Sequence, residues 1–164
     1  MFWSKSSSET IISPGIMSSE NHNISCVLYA DDDPDDSMLF SEAIKHISLK
    51  INLVLANNEK SMINQLQTTK PDLIFLDLNM PGRSGKECLR AIRSNGSYKQ
   101  IPVIIYSTSS ANSDIDECYS AGADYYVIKP YSFKDIIKTL QKIFAMNPTH
   151  DGQTSKQQFV LKAG

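Results

Sequence analysis

"LIFLDLNMPGRSG", residues 73–85, runs four bulky apolar residues into Asp77 and then turns on Pro81-Gly82. A short apolar run bounded by turn residues reads as a strand buried on both faces. A carboxylate at the end of such a strand is costly unless something offsets its charge. The stretch therefore raises two questions: what covers the strand on both sides, and what Asp77 is for.

The first answer lies in the neighbouring sequence. Apolar runs of strand length recur at "CVLYA" (26–30), "INLVL" (51–55), "IPVIIY" (101–106) and "YYVI" (125–128). Each is followed by helical spacing. Asp33-Pro34 reads as an N-cap with proline at the first helical position, and Asp36 stands three residues after the cap. Leu39, Phe40, Ala43, Ile44 and Ile47 follow on one helical face. Asn58 can cap a helix carrying Met62, Ile63 and Leu66, which Lys70-Pro71 ends. Ser84 and Glu87 have capping-box spacing ahead of Cys88, Leu89 and Ile92. Ser113 with Asp116 is expected to cap a fourth helix that Gly122 terminates. Ser132 with Asp135 caps a fifth, bearing Ile136, Ile137, Leu140, Ile143 and Phe144.

Five strand–helix repeats with mostly apolar strands predict a doubly wound α/β fold, a five-stranded parallel sheet with five helices covering both faces. The partial alternation of "INLVL" assigns that strand to an edge. Residues 24–146 form the predicted domain. Residues 1–23, rich in Ser, Asn, Glu and Thr, are expected to be a mobile tail, and they lack the apolar core of a secretory signal. Asn147-Pro148 stops the last helix, and residues 147–164 are expected to be a second tail, with Phe159, Val160 and Leu161 given no role.

Composition narrows the function. In 164 residues, 41% hydrophobic and 21% charged, a net charge of -2 offers no clustered basic surface for a phosphate backbone. The odd, scattered Cys26, Cys88 and Cys118 read as small apolar residues in a reducing compartment. No apolar stretch reaches the roughly 20 residues that span a bilayer. A cytoplasmic location without direct DNA binding is the expectation.

In doubly wound folds the functional crevice lies at the carboxyl ends of the strands. There the sequence places Asp31, Asp32 and Asp33 after the first strand, Asp77 after the third, Ser107 and Thr108 after the fourth, and Lys129-Pro130 after the fifth. Asp33 is a helix cap. Asp31, Asp32 and Asp77 brought together would repel unless a cation joins them. Mg2+ suits hard oxygen ligands of this kind. A carboxylate can act as nucleophile and form an aspartyl phosphate, and Lys129 with Mg2+ would stabilise the charge that develops.

With these residues in place, the sequence resembles the receiver domain of two-component response regulators, particularly the single-domain chemotaxis-regulator type. The resemblance covers residues 24–146 and rests on Asp31-Asp32, "LDLNMPG" around Asp77, Ser107, and the Tyr126-to-Pro130 segment, in that order and spacing. It implies a flavodoxin-like sheet of strand order 2-1-3-4-5. It implies that Asp77 accepts a phosphoryl group from a histidine kinase or phosphotransfer protein. Asp32, Asp77 and the backbone carbonyl of Asn79 would bind Mg2+, with Asp31 acting through water.

Lys129 would hold an aspartate or phosphoryl oxygen and precede a cis proline. Ser107 and Tyr126 would form a switch that reshapes the surface of the fourth helix, fifth strand and fifth helix. The output would be contact with a downstream protein or onward relay, without an output domain, and no metabolite would be turned over. Serine at position 107, where threonine is commoner, loses a methyl but keeps the hydroxyl. Met38, Leu39 and Tyr131 are candidate partner contacts. Asp114, Asp116 and Glu117 facing Lys134, Lys138 and Lys142 of a second copy suggest a homodimer through the switch surface.

A haloacid dehalogenase-type phosphatase also uses a strand-end aspartate and Mg2+. That chemistry wants a second acid two residues on, where Asn79 stands and cannot serve as a general acid. A receiver that is never phosphorylated would lack one of the acids or the lysine, and none is missing. A flavin module would need a Ser/Thr/Gly-rich phosphate loop after "CVLYA", which is absent.

Overall fold

The computed structural model describes residues 23–162, apart from positions 49 and 153. The predicted tail at residues 1–23 therefore lies almost wholly outside the described residues. Twelve elements follow: β1 (Cys26–Ala30), α1 (Pro34–Ile47), β2 (Asn52–Ala56), α2 (Glu59–Thr69), β3 (Leu73–Leu76), α3 (Gly85–Ser94), β4 (Val103–Ser107), α4 (Asn112–Ser120), β5 (Tyr125–Ile128), α5 (Phe133–Met146), α6 (Lys156–Phe159) and β6 (Val160–Leu161). The strands form one parallel sheet in the order β2-β1-β3-β4-β5-β6. The five predicted strands thus take the expected order 2-1-3-4-5.

Alternate residues of the central strands feed two cores. On one face Leu28, Ile74, Leu76 and Ile105 pack with Met62, Leu66, Leu89, Ile92 and Cys118 from α2, α3 and α4. On the other, Val27, Tyr29, Phe75 and Tyr106 pack with Phe40, Ile44, Leu140 and Ile143 from α1 and α5. Burial on both faces is what made β1, β3 and β4 continuous apolar runs. β2, an edge strand, keeps Leu55 exposed, in line with its partial alternation.

The caps set where each helix starts. Asp33 accepts from the backbone N–H groups of Asp35 and Asp36. Asn58 and Ser84 form capping boxes, and Ser132 accepts from the N–H of Asp135. Two glycines have distinct reasons. Gly82 sits at φ +90°, which only glycine adopts freely. A Cβ on Gly85 would lie 2.2 Å from the Asp77 carbonyl oxygen, so that position must be bare for α3 to approach the end of β3.

Three expectations are corrected. α4 begins at Asn112 with Ala111 at its N-cap and no side-chain cap, rather than under Ser113. Ser109 takes over the local bonding: its hydroxyl accepts from the N–H of Ala111 and donates to Asp114. The Lys129-Pro130 bond is trans, the form favoured by about 0.5–1 kcal/mol for a bond preceding proline. The segment 147–162 is not a free tail. It crosses back from α5, forms α6, and adds β6 to β5 with Tyr126 opposite Val160 and Val127 opposite Leu161. The reason is burial on both faces: Phe159 enters the core of α3 and α4, and Leu161 the core of α1 and α5.

Candidate functional site

The carboxyl ends of β1 and β3 lie side by side because the Asp77 N–H donates to the Ala30 carbonyl, while the Asp31 N–H donates to the Ala56 carbonyl of β2 and fixes the other side of β1. Carboxylate oxygens of Asp31, Asp32 and Asp77 consequently lie within 4.8 Å of one another. Asp31 and Asp77 are buried and Asp32 faces solvent, so the cluster has two fixed members and one at its mouth. Lys129 reaches in from beyond β5, its N–H tied to the Ser107 carbonyl at 2.8 Å.

The lysine divides its contacts unevenly. Its Nζ is 2.6 Å from Asp31 Oδ2 and 2.8 Å from Asp36 Oδ2, but 3.7 Å from Asp77 Oδ1. Burial opposes the charge on Lys129, yet the bonds to Asp31 and Asp36 outweigh it and hold the ammonium above the ordinary lysine value. Asp31 is further restrained: Tyr29 Oη donates to its Oδ2, and its Oδ1 accepts the Asp33 N–H. With its oxygens so engaged, Asp31 suits an indirect role toward a metal.

Asp77 is left differently. Its Oδ1 is buried and has no hydrogen-bond donor. Burial pushes its pKa up to about 6, Lys129 pulls it down, Asp31 pushes it up again, and the N–H groups of Asn79 and Leu78 lower it. A divalent cation among the three carboxylates would relieve that burial cost and supply the missing partner. The donor set is all hard oxygen, and it fits Mg2+. Asn79 lies exposed in the loop after Asp77, on the route from β3 to α3.

Ser107 ends β4, fully buried, with its hydroxyl accepting the Ser109 N–H at 3.2 Å. Tyr126 is also fully buried, on β5, and its hydroxyl donates to the Ser109 carbonyl at 2.8 Å. The two predicted switch residues are therefore joined, side chain to side chain and through Ser109. Met38, Leu39 and Tyr131 are exposed. Asp114 and Glu117 pair with Lys86, Glu117 also with Arg90, and Asp116 with Lys156 of α6. These acids are neutralised within the chain, which removes the charge argument for a second copy.

Two members of the site had only a local reading in the sequence. Asp36 was legible as an acid in the first turn of α1, but its reach to Lys129 was not. Tyr29 had a usable signal: two residues before Asp31 on one strand, it projects from the same face. Among the described residues His46 packs edge-on with Phe133 and His150 pairs with Asp124, and neither belongs to the cluster of Asp31, Asp32 and Asp77.

Comparison with known proteins identifies the family and the fold. The model of the response regulator receiver domain matches residues 27–141. Response regulator Rcp1 of Synechocystis sp. is 31% identical over 134 residues, covering 77% of this chain and 91% of its own. The solved structure of the Mn(2+)-bound form of Rcp1 superposes with a TM-score of 0.66 at 30% identity, over 73% of this chain and 91% of that one. The phosphorylated cyanobacterial phytochrome response regulator RcpA gives 0.68 at 27% identity over the same shares. No helix of the described residues is long and apolar enough to cross a membrane.

Proposed function

This chain belongs to the response regulator receiver family of two-component signalling, and we propose that Asp77 is its phospho-acceptor. The observation that carries the reading is the buried Oδ1 of Asp77, left without a donor beside two further carboxylates and a lysine. An oxygen that is held rigidly, poorly solvated and unbonded is available to attack.

The donor is a histidine kinase or a phosphotransfer protein. An Asp77 carboxylate oxygen forms the new O–P bond as the P–N bond to the donor imidazole breaks, and the electron pair leaves with that nitrogen. Lys129 shifts toward the phosphoryl oxygens from its position on Asp31 and Asp36, and stabilises the added negative charge. Asp32, Asp77 and the Asn79 carbonyl would hold Mg2+, with Asp31 bonded through water. When bound, the ion neutralises the carboxylates and the phosphoryl oxygens they face. The Mn(2+)-bound and phosphorylated states named for Rcp1 and RcpA support the same assignments here.

The Ser107 hydroxyl turns from the Ser109 N–H to the phosphoryl group, and Tyr126 takes up the space it leaves. The result is a population shift in the surface of α4, β5 and α5. Hydrolysis of the aspartyl phosphate at the same site resets it, and no metabolite is turned over. The output is contact with a downstream protein or onward relay, in the cytoplasm, with Met38, Leu39 and Tyr131 as exposed contacts for the partners. A homodimer through α4, β5 and α5 would have to form over α6 and β6.

The test is intact mass after incubation with acetyl phosphate, with and without Mg2+. A Mg2+-dependent gain of one phosphoryl group, absent in Asp77→Asn, is expected. A folded protein that gains nothing under either condition overturns the reading.

A further inference from the structure

The matched receiver domain ends at residue 141, and α6 and β6 lie beyond it. This added segment covers one side of the candidate switch. Phe159 is fully buried, its ring 5.1 Å from that of Tyr119 and 6.2 Å from that of Tyr126. β6 lies along β5 with Val160 opposite Tyr126 itself. Lys156 ties α6 to Asp116 of α4, and His150 ties the crossing to Asp124 at the start of β5. Ring by ring and bond by bond, a path runs from Phe159 to Tyr126, to the Ser109 carbonyl, to Ser107, whose own carbonyl holds the Lys129 N–H.

We infer that Phe159 is a positioning residue of the phospho-switch, holding Tyr126 inward from within the same chain. The inference rests on the proposed role of Asp77. Interiors are packed without spare volume, so an outward Tyr126 ring requires Phe159 to leave. A docked segment therefore selects the inward Tyr126. Movement of Ser107 toward a phosphoryl group frees space beside the inward Tyr126, whose hydroxyl stays bonded to the Ser109 carbonyl, and favours the same position. Docking and phosphorylation stabilise one state, and by linkage each strengthens the other by the same factor.

Two measurements test this, both on the full chain with Mg2+ and beryllofluoride as the phosphoryl mimic. Hydrogen exchange over residues 155–162 is expected to slow in the wild type when beryllofluoride is added, and to stay unchanged in Asp77→Asn. The half-saturating beryllofluoride concentration is expected to rise about 5-fold or more in Phe159→Ala, the lower end of ordinary coupling. Phe159→Leu, which keeps most of the apolar volume, is expected to recover most of the loss. Unchanged exchange in a wild type that binds the mimic overturns the inference and leaves the acceptor standing. So does a folded Phe159→Ala with wild-type saturation. A wild type that neither binds the mimic nor gains mass from acetyl phosphate overturns both. Should Phe159→Ala fail to fold, the exchange measurement and Phe159→Leu still decide.

Discussion

Asp77 and Asp124 are both buried aspartates, at opposite edges of one parallel sheet. Asp77 follows β3 at the carboxyl edge; Asp124 precedes β5 at the amino edge. Asp124 is fully bonded: Oδ2 accepts the Val103 N–H and Arg93 Nη2, each at 2.8 Å, and Oδ1 lies 2.7 Å from His150 Nδ1. Asp77 keeps an oxygen with no donor at all. Burial raises the pKa of both; at Asp124 the Val103 N–H, His150 and Arg93 oppose it, and at Asp77 Lys129 and the N–H groups of Asn79 and Leu78 do. A carboxylate that joins strands is satisfied in place. Asp77 is left with an oxygen that has something to gain.

The comparison breaks first if Asp124 proves dispensable. Asp124→Ala leaves the largely buried Arg93 side chain without its counter-ion. A loss of about 3–5 kcal/mol is expected, read by urea or thermal unfolding as a fall on the order of 10 °C. The opposite sign is expected at the other edge. Asp77 ionises at about 6 in the fold against 3.8 ordinarily. The unfolded chain therefore binds fewer protons between about pH 4 and pH 6, and metal-free stability falls as pH rises through that window. The loss is about 3 kcal/mol at full ionisation. Asp77→Asn in chelator should lack the fall and be more stable than wild type at pH 7, by up to that amount. A variant less stable than wild type at pH 7 would mean that Asp77 is satisfied after all.

Mg2+ sharpens the contrast. A ligand at ten times its dissociation constant stabilises by about 1.4 kcal/mol. A melting-temperature rise of that size is expected for wild type, and little of it for Asp77→Asn. The smallest effect belongs to an acid that is paired but exposed. Lys156→Ala strips the partner from Asp116, and both side chains are more than half exposed. A change within about 0.5 kcal/mol is expected by thermal unfolding. Burial, rather than pairing, then decides what an aspartate is worth here.

Most of the site could be read before any coordinates, because each member sits at a strand end and strand ends are local features. Asp31, Asp32, Asp77 and Lys129 were placed that way. Asp36 was missed because its position as the third residue of a capped helix already accounted for it, and its bond to Lys129 spans 93 residues. Phe159 was missed because three apolar residues after a proline carry no periodicity to assign. Their pattern matters only against the edge of β5, where Phe159 and Leu161 point into opposite cores.

The sequence by itself determined the strands, nearly all the caps, the order of chemistry along one sheet edge, and the family. Those features depend on contacts within a few residues, or on residue types at fixed offsets, and no other part of the chain can overrule them cheaply. Only the tertiary structure decided which acid Lys129 bonds, where α4 begins, and that the chain returns to cover β5. These outcomes are choices among distant groups of similar chemistry. Three carboxylates compete for Lys129, Ala111 and Ser113 for the N-cap position of α4, and solvent competes with a sheet edge for Phe159. Packing settles each by distance and by the apolar area removed from water.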